Sequence, residues 1–96
     1  MDVEFSSSVT RGGNILTPEK IIISDLSITW KKRNKYLIGF DSISITRDKI
    51  SSVEVQSKIW GADIIITSNG SSKIIAKNFT LADSKKIREI LINTQN

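Results

Sequence analysis

The chain contains 18 Ile, 4 Val and 7 Thr, together 29 of its 96 residues, against only 5 Leu and 3 Ala. Side chains branched at Cβ are stiff at χ1; they pack well on a pleated strand and lose freedom against the preceding turn of a helix. Most of this chain is therefore expected to be strand. The period of two appears in separate pieces. Ile28 and Trp30 alternate with Ser27, Thr29 and Lys31; Ile43 and Ile45 with Ser42, Ser44 and Thr46; and Val53 and Val55 with Ser52, Glu54 and Gln56. Each piece reads as a strand with one face buried.

Turn chemistry separates the pieces. Ser68-Asn69-Gly70-Ser71 lies between the β-rich runs Asp63 to Thr67 and Lys73 to Ala76. Asn-Gly in that position predicts a hairpin whose two central residues take positive φ. Ser24-Asp25 and Arg33-Asn34-Lys35 are expected to reverse the chain on either side of the Ile28 strand, Arg47-Asp48-Lys49 to interrupt it before Val53, and Trp60-Gly61 to end or bulge the next reversal. Residues 1–18 are expected either to be mobile or to supply a first strand around Val3, Phe5 and Val9, followed by a loop at Gly12-Gly13 and the single proline, Pro18.

One stretch departs from the strand period. Leu81, Ile87, Ile90 and Leu91 recur at helical spacing with Lys85, Lys86 and Glu89 between them, and Thr80 followed by Asp83 resembles a capping box. A helix is predicted over residues 80–93. The expected architecture is mainly β (α+β) in a single domain, residues 1–96. Six to seven antiparallel strands over 19–79 form a small split barrel or an orthogonal sandwich, with the helix burying Leu81, Ile87, Ile90 and Leu91 at its open end.

Composition narrows the chemistry. There is no His and no Cys, which removes imidazole bases, thiol nucleophiles and the usual transition-metal ligands. Gly12-Gly13 is not followed by the Lys-Ser/Thr of a phosphate loop, no Gly-x-Ser-x-Gly elbow occurs, and Asp25, Asp41, Asp48, Asp63 and Asp83 read as turn or helix-start residues without calcium-loop spacing. The chain is expected to be non-catalytic and to need no cofactor or metal. The start shows no signal-peptide pattern, and the longest apolar runs, such as Ile64 to Ile66, are far short of a membrane span, so a cytoplasmic location is the expectation.

Three segments together carry a family resemblance: Lys20 to Arg33, Ser42 to Val55, and the Asn69-Gly70 hairpin. A short apolar alternation, a turn, and then the step Asp48-Lys49-Ile50-Ser51-Ser52-Val53 into the next strand resemble the bacterial pleckstrin-homology-like (PH-like) domains over residues 19–93. The resemblance implies a split β-barrel or a pair of near-orthogonal sheets closed by one helix, and it implies a family in which homo-oligomers occur. It does not imply a phosphoinositide ligand, because this fold hosts unrelated binding roles.

Two groups of residues are candidates for binding. Lys31, Lys32, Arg33 and Lys35, placed at a hairpin tip between Trp30 and Tyr36, suit an anionic membrane surface; the competing reading is a solubilising hairpin end. Ile59, Trp60 and Tyr36 are candidates for a protein-partner or self-association interface, the competing reading for Trp60 being a core position. Free sheet edges offer a second route to partners. Lys85, Lys86 and Arg88 read as the solvent face of the helix. Weak single-stranded nucleic-acid binding is a further alternative, made less favourable by a net charge of only +4 and six aromatic residues, most of them wanted by the core.

Overall fold

The computed structural model describes residues 2–7, 18–33, 40–70 and 72–93. Strands β1 (Val3–Ser6), β2 (Glu19–Ile23), β3 (Ser27–Arg33) and β4 (Phe40–Thr46) form one antiparallel sheet in that order. A single 3-10 turn, Arg47–Lys49, carries the chain to a second antiparallel sheet of β5 (Ile50–Lys58), β6 (Gly61–Ser68) and β7 (Lys73–Phe79). The helix α1 (Leu81–Asn93) follows and packs on β5 and β6. Among the described residues, seven antiparallel strands in a four-plus-three arrangement with one C-terminal helix agree with the predicted fold class and with the architecture the PH-like resemblance implies.

Register explains why the alternation was informative. Ile23 pairs with Ile28 and Ile28 with Ile45, while Ile21 pairs with Trp30 and Trp30 with Ile43, so each row of side chains lies on one face. In the second sheet, Ile66 pairs with Ile74 and Ile64 with Ala76. Phe5, Ile21, Ile23, Ile28 and Ile45 from the first sheet meet Ile64, Ile66, Ile74, Ala76 and Phe79 from the second, with Ile87 and Leu91 of α1 closing the space between them. The helix begins as its sequence indicates: the Asp83 amide donates to Thr80 Oγ1 at 3.1 Å, the bond expected of a Thr N-cap.

Several local expectations need correction. Asn69 and Gly70 do sit between paired strands, but among the described residues the positive φ values belong to Asn78 (66°) and Gly61 (119°). The Ser68 amide and hydroxyl both donate to the Ser72 carbonyl, at 3.1 and 2.8 Å, and the Asn69 amide donates to the Lys49 carbonyl at 2.8 Å. That last bond ties the loop to the 3-10 turn, and neither Asn69 nor Gly70 takes the positive φ of a primed turn. Leu81 does not join the plug; it is 37% exposed at the first helical position, and its place is taken by buried Ser84, whose hydroxyl donates to the Thr80 carbonyl at 2.9 Å. Neither Asp41 nor Asp63 is a turn residue, since they lie within β4 and β6. The expected reversal at residues 34–35, and the Gly12-Gly13 loop, fall outside the described residues.

Two polar side chains tie the layers together. Glu19, only 8% exposed, places Oε1 2.9 Å from the Trp30 indole nitrogen and 3.1 Å from the Lys77 amide, and accepts from both. Trp30 is in the first sheet and Lys77 in the second, so one carboxylate oxygen bridges them. The Lys77 amide is free for this because β7 bulges there: Ala62 pairs with Phe79 but Ile64 with Ala76, leaving Lys77 and Asn78 opposite Asp63 alone. Arg47 makes the other tie, donating to the Ser24 carbonyl at 2.8 Å and the Ile90 carbonyl at 3.1 Å, which links the β2–β3 turn to the last turns of α1.

Candidate functional site

The β5–β6 hairpin ends in the closing pair Lys58 and Gly61, leaving Ile59 and Trp60 as its two-residue tip. Neither tip residue takes positive φ; Gly61, at φ 119°, absorbs the reversal instead, a conformation open to glycine because it lacks Cβ. Ile59 is 90% exposed and Trp60 69% exposed. The base of the tip is braced. Lys58 Nζ lies 2.9 Å from Asp63 Oδ1 and donates to Asn78 Oδ1 at 2.8 Å, while the Asn78 amide donates to Asp63 Oδ1 at 3.1 Å. An ion pair this open to water contributes less than about 1 kcal/mol; its consequence is orientation, since it joins both hairpin strands to the β7 bulge.

Two shallow grooves adjoin the tip. The first, about 390 Å³, lies between residues 58–61 of the hairpin and residues 80–82 at the start of α1. The second, about 310 Å³, runs between β5 and α1, with Val53, Glu54, Val55 and Ser57 on the strand side and Leu81, Lys85 and Arg88 on the helix side. Leu81 lines both. Among the described residues the strand wall is also a sheet edge: β5 pairs there with β6 alone, and its nine residues make the longest strand.

The basic candidates are arranged differently from the hairpin-tip expectation. Lys31 and Lys32 lie inside β3, and consecutive strand residues point to opposite faces. Lys31 is exposed, directly opposite Lys20 of β2 on one side and Ser42 of β4 on the other, and Ser6 of β1 pairs with Lys20. The result is a row across the outer face of the first sheet: Ser6, Lys20, Lys31, Ser42. Lys32 is half-buried, opposite Glu19 and Asp41. Arg33 ends β3 opposite Phe40, and both Lys35 and Tyr36 lie outside the described residues. Trp30 is half-buried with its indole N–H committed to Glu19, so it does not serve as an exposed aromatic beside these cations.

Sequence reasoning singled out Ile59 and Trp60 but missed what adjoins them. Lys85 and Arg88, expected on the solvent face, are exposed, yet with Leu81 they form the helix wall of the groove. A signal existed: Leu81, Lys85 and Arg88 recur at i, i+4 and i+7, a second stripe beside the buried stripe of Ser84, Ile87 and Leu91. Lys20 was also missed, because cross-strand pairing is invisible without the register. No protein-family model matches the chain, and a search of curated proteins finds no match.

Proposed function

We propose that this chain is a non-catalytic, PH-like binding or assembly module that works by protein–protein contact, including self-association. The observation that carries the reading is the braced hairpin tip. Two large apolar side chains stand in water on a turn held by Lys58, Asp63 and Asn78, and exposed aromatic anchors beside a groove are the residues that dominate binding energy at interfaces. The absence of His and Cys from the sequence supports a non-catalytic role.

The test is site-specific photo-cross-linking in cells of the natural host. A benzophenone amino acid at position 59 is expected to give a discrete covalent adduct that Trp60→Ser abolishes, while the same group at position 69, at the other end of the second sheet, gives none. An adduct of twice the chain mass identifies self-association; any other mass identifies a different protein. Equal labelling from positions 59 and 69 would defeat the reading.

A second reading, peripheral attachment to anionic membrane lipids, is favoured by one observation. Lys20 and Lys31 face each other directly across two strands, a like-charge pairing that costs stability unless an anion lies between them. Replacing Lys20, Lys31, Lys32, Arg33 and Lys35 with Ser should abolish co-sedimentation with phosphatidylserine vesicles, and unchanged co-sedimentation would remove this reading. Single-stranded nucleic acid has less support: among the described aromatic side chains Phe5 and Phe79 are buried and Trp30 is half-buried, leaving Trp60 as a lone stacking platform.

A further inference from the structure

We infer that Asn69 is a site of spontaneous modification: its side-chain amide converts, without an enzyme, to isoaspartate and aspartate through a cyclic imide formed with the Gly70 nitrogen. The inference is independent of the proposed contact at the hairpin tip, which lies at the other end of the second sheet. Three observations carry it. Asn69 and Gly70 are both exposed. Among the described residues neither the Asn69 carboxamide nor the Gly70 N–H has a hydrogen-bond partner, although the Asn69 backbone amide donates to the Lys49 carbonyl and Ser68 donates twice to the Ser72 carbonyl. Space around Gly70 is open: a Cβ built there would meet nothing nearer than Ser68 Oγ at 3.9 Å. Nucleophile and electrophile are adjacent, uncommitted and unshielded.

The chemistry is hydrolysis in two steps. A solvent base takes the Gly70 amide proton, and the nitrogen attacks Asn69 Cγ. The new N–Cγ bond closes a five-membered imide, and the Cγ–Nδ2 bond breaks with the nitrogen leaving as ammonia after gaining a proton from water. Water then opens the ring. Attack at the main-chain carbonyl gives isoaspartate, in which the backbone runs through Cβ and Cγ; attack at Cγ gives ordinary aspartate. The balance is amide plus water to carboxylic acid plus ammonia, with no oxidant or co-reactant. Glycine suits the second position because it lacks the Cβ that would crowd its own nitrogen during attack.

Asn78 supplies the contrast within the same sheet. Its side-chain Oδ1 accepts from Lys58 Nζ at 2.8 Å, its backbone amide donates to Asp63, and the next residue is fully buried Phe79. An attack there would have to break the bulge and expose the core. At Asn69 it breaks nothing, yet the product has consequences. Either acid lowers the formal net charge of +4 by one. Isoaspartate also lengthens the main chain by one atom inside the loop that the Ser68-to-Ser72 bonds close, so those bonds and the tie from Asn69 to the 3-10 turn are loosened.

The test ages the full chain in mildly alkaline buffer made with heavy-oxygen water. Peptide mass spectrometry reads each asparagine, and an isoaspartate methyltransferase with labelled S-adenosylmethionine scores isoaspartate. Asn69 is expected to convert with uptake of heavy oxygen, at a rate within about threefold of that in the urea-unfolded chain, because no opening of the sheet is required. Asn78 should convert only after unfolding. Gly70→Ala should slow the conversion at Asn69 by about tenfold or more through its added Cβ, and the open space around Gly70 leaves that variant folded. The Ser68 amide should exchange hydrogen faster in the isoaspartate form than in an Asn69→Asp variant, which has the same charge without the longer backbone. An Asn69 that survives in the folded chain and converts only on unfolding would overturn the inference. Conversion of Asn78 as fast as Asn69, or an unslowed Gly70→Ala variant, would overturn it as well. Equal Ser68 exchange in the two acid forms would overturn its structural consequence.

Discussion

Glu19 shows how much one side chain can settle. Its two donors are the indole N–H of half-buried Trp30 and a backbone N–H released by a bulge, and without an acceptor both would be left unpaired between the sheets. Glu19→Ala should therefore cost about 2–4 kcal/mol in urea unfolding, the penalty for orphaning two donors. Glu19→Gln keeps an acceptor oxygen and should cost under half as much. Equal losses for the two variants would show that the carboxylate's hydrogen bonds are not what joins the sheets. Nothing in the sequence distinguished Glu19 from the other acids, because its partners lie 11 and 58 residues away along the chain.

At the level of elements, α1 was legible from end to end because its signals are local. Thr80, Asp83 and the spacing of Ile87 and Leu91 all lie within one short segment. Thr80→Ala removes the acceptor for the Asp83 amide and should lower stability by about 1 kcal/mol, read from the thermal midpoint. A Thr80→Ser variant retains the hydroxyl and should lose less than half of that. The hairpins were less legible in detail. Asn69-Gly70 marked the right place, but the Asn69 amide is bonded to the Lys49 carbonyl on another segment, a contact that turn propensities do not include. The tip at Ile59 and Trp60 was legible as a reversal; its exposure depended on whether any layer covered it.

For the molecule as a whole, Arg47 is the residue to test. Its guanidinium joins the β2–β3 turn of the first sheet to the C-terminal end of the helix that packs on the second. Cationic donors also suit the carbonyls exposed at a helix end. Arg47→Ala should cost about 2–3 kcal/mol, the range for hydrogen bonds from a charged group. It should also speed hydrogen exchange of the last turn of α1 more than that of β6. Arg47→Lys should recover less than half of the loss, because one ammonium cannot reproduce a planar fork aimed at two carbonyls. Uniform exchange changes across the protein would mean that Arg47 stabilises the fold without specifically tethering the helix.

The division between what could be read and what could not follows the range of the forces involved. Alternation among Ile28, Trp30, Ile43, Ile45, Val53 and Val55, turn residues between them, and one amphipathic stripe ending in Leu91 specify strands, order and a terminal helix, since each signal spans a few neighbouring residues. The pairing of Lys20 with Lys31, the bridge from Glu19, the exposure of Trp60, and the groove that Leu81, Lys85 and Arg88 make with the β5 edge arose from packing. Those features join residues far apart in the chain, and local patterns carry no information about which distant backbone will arrive beside them.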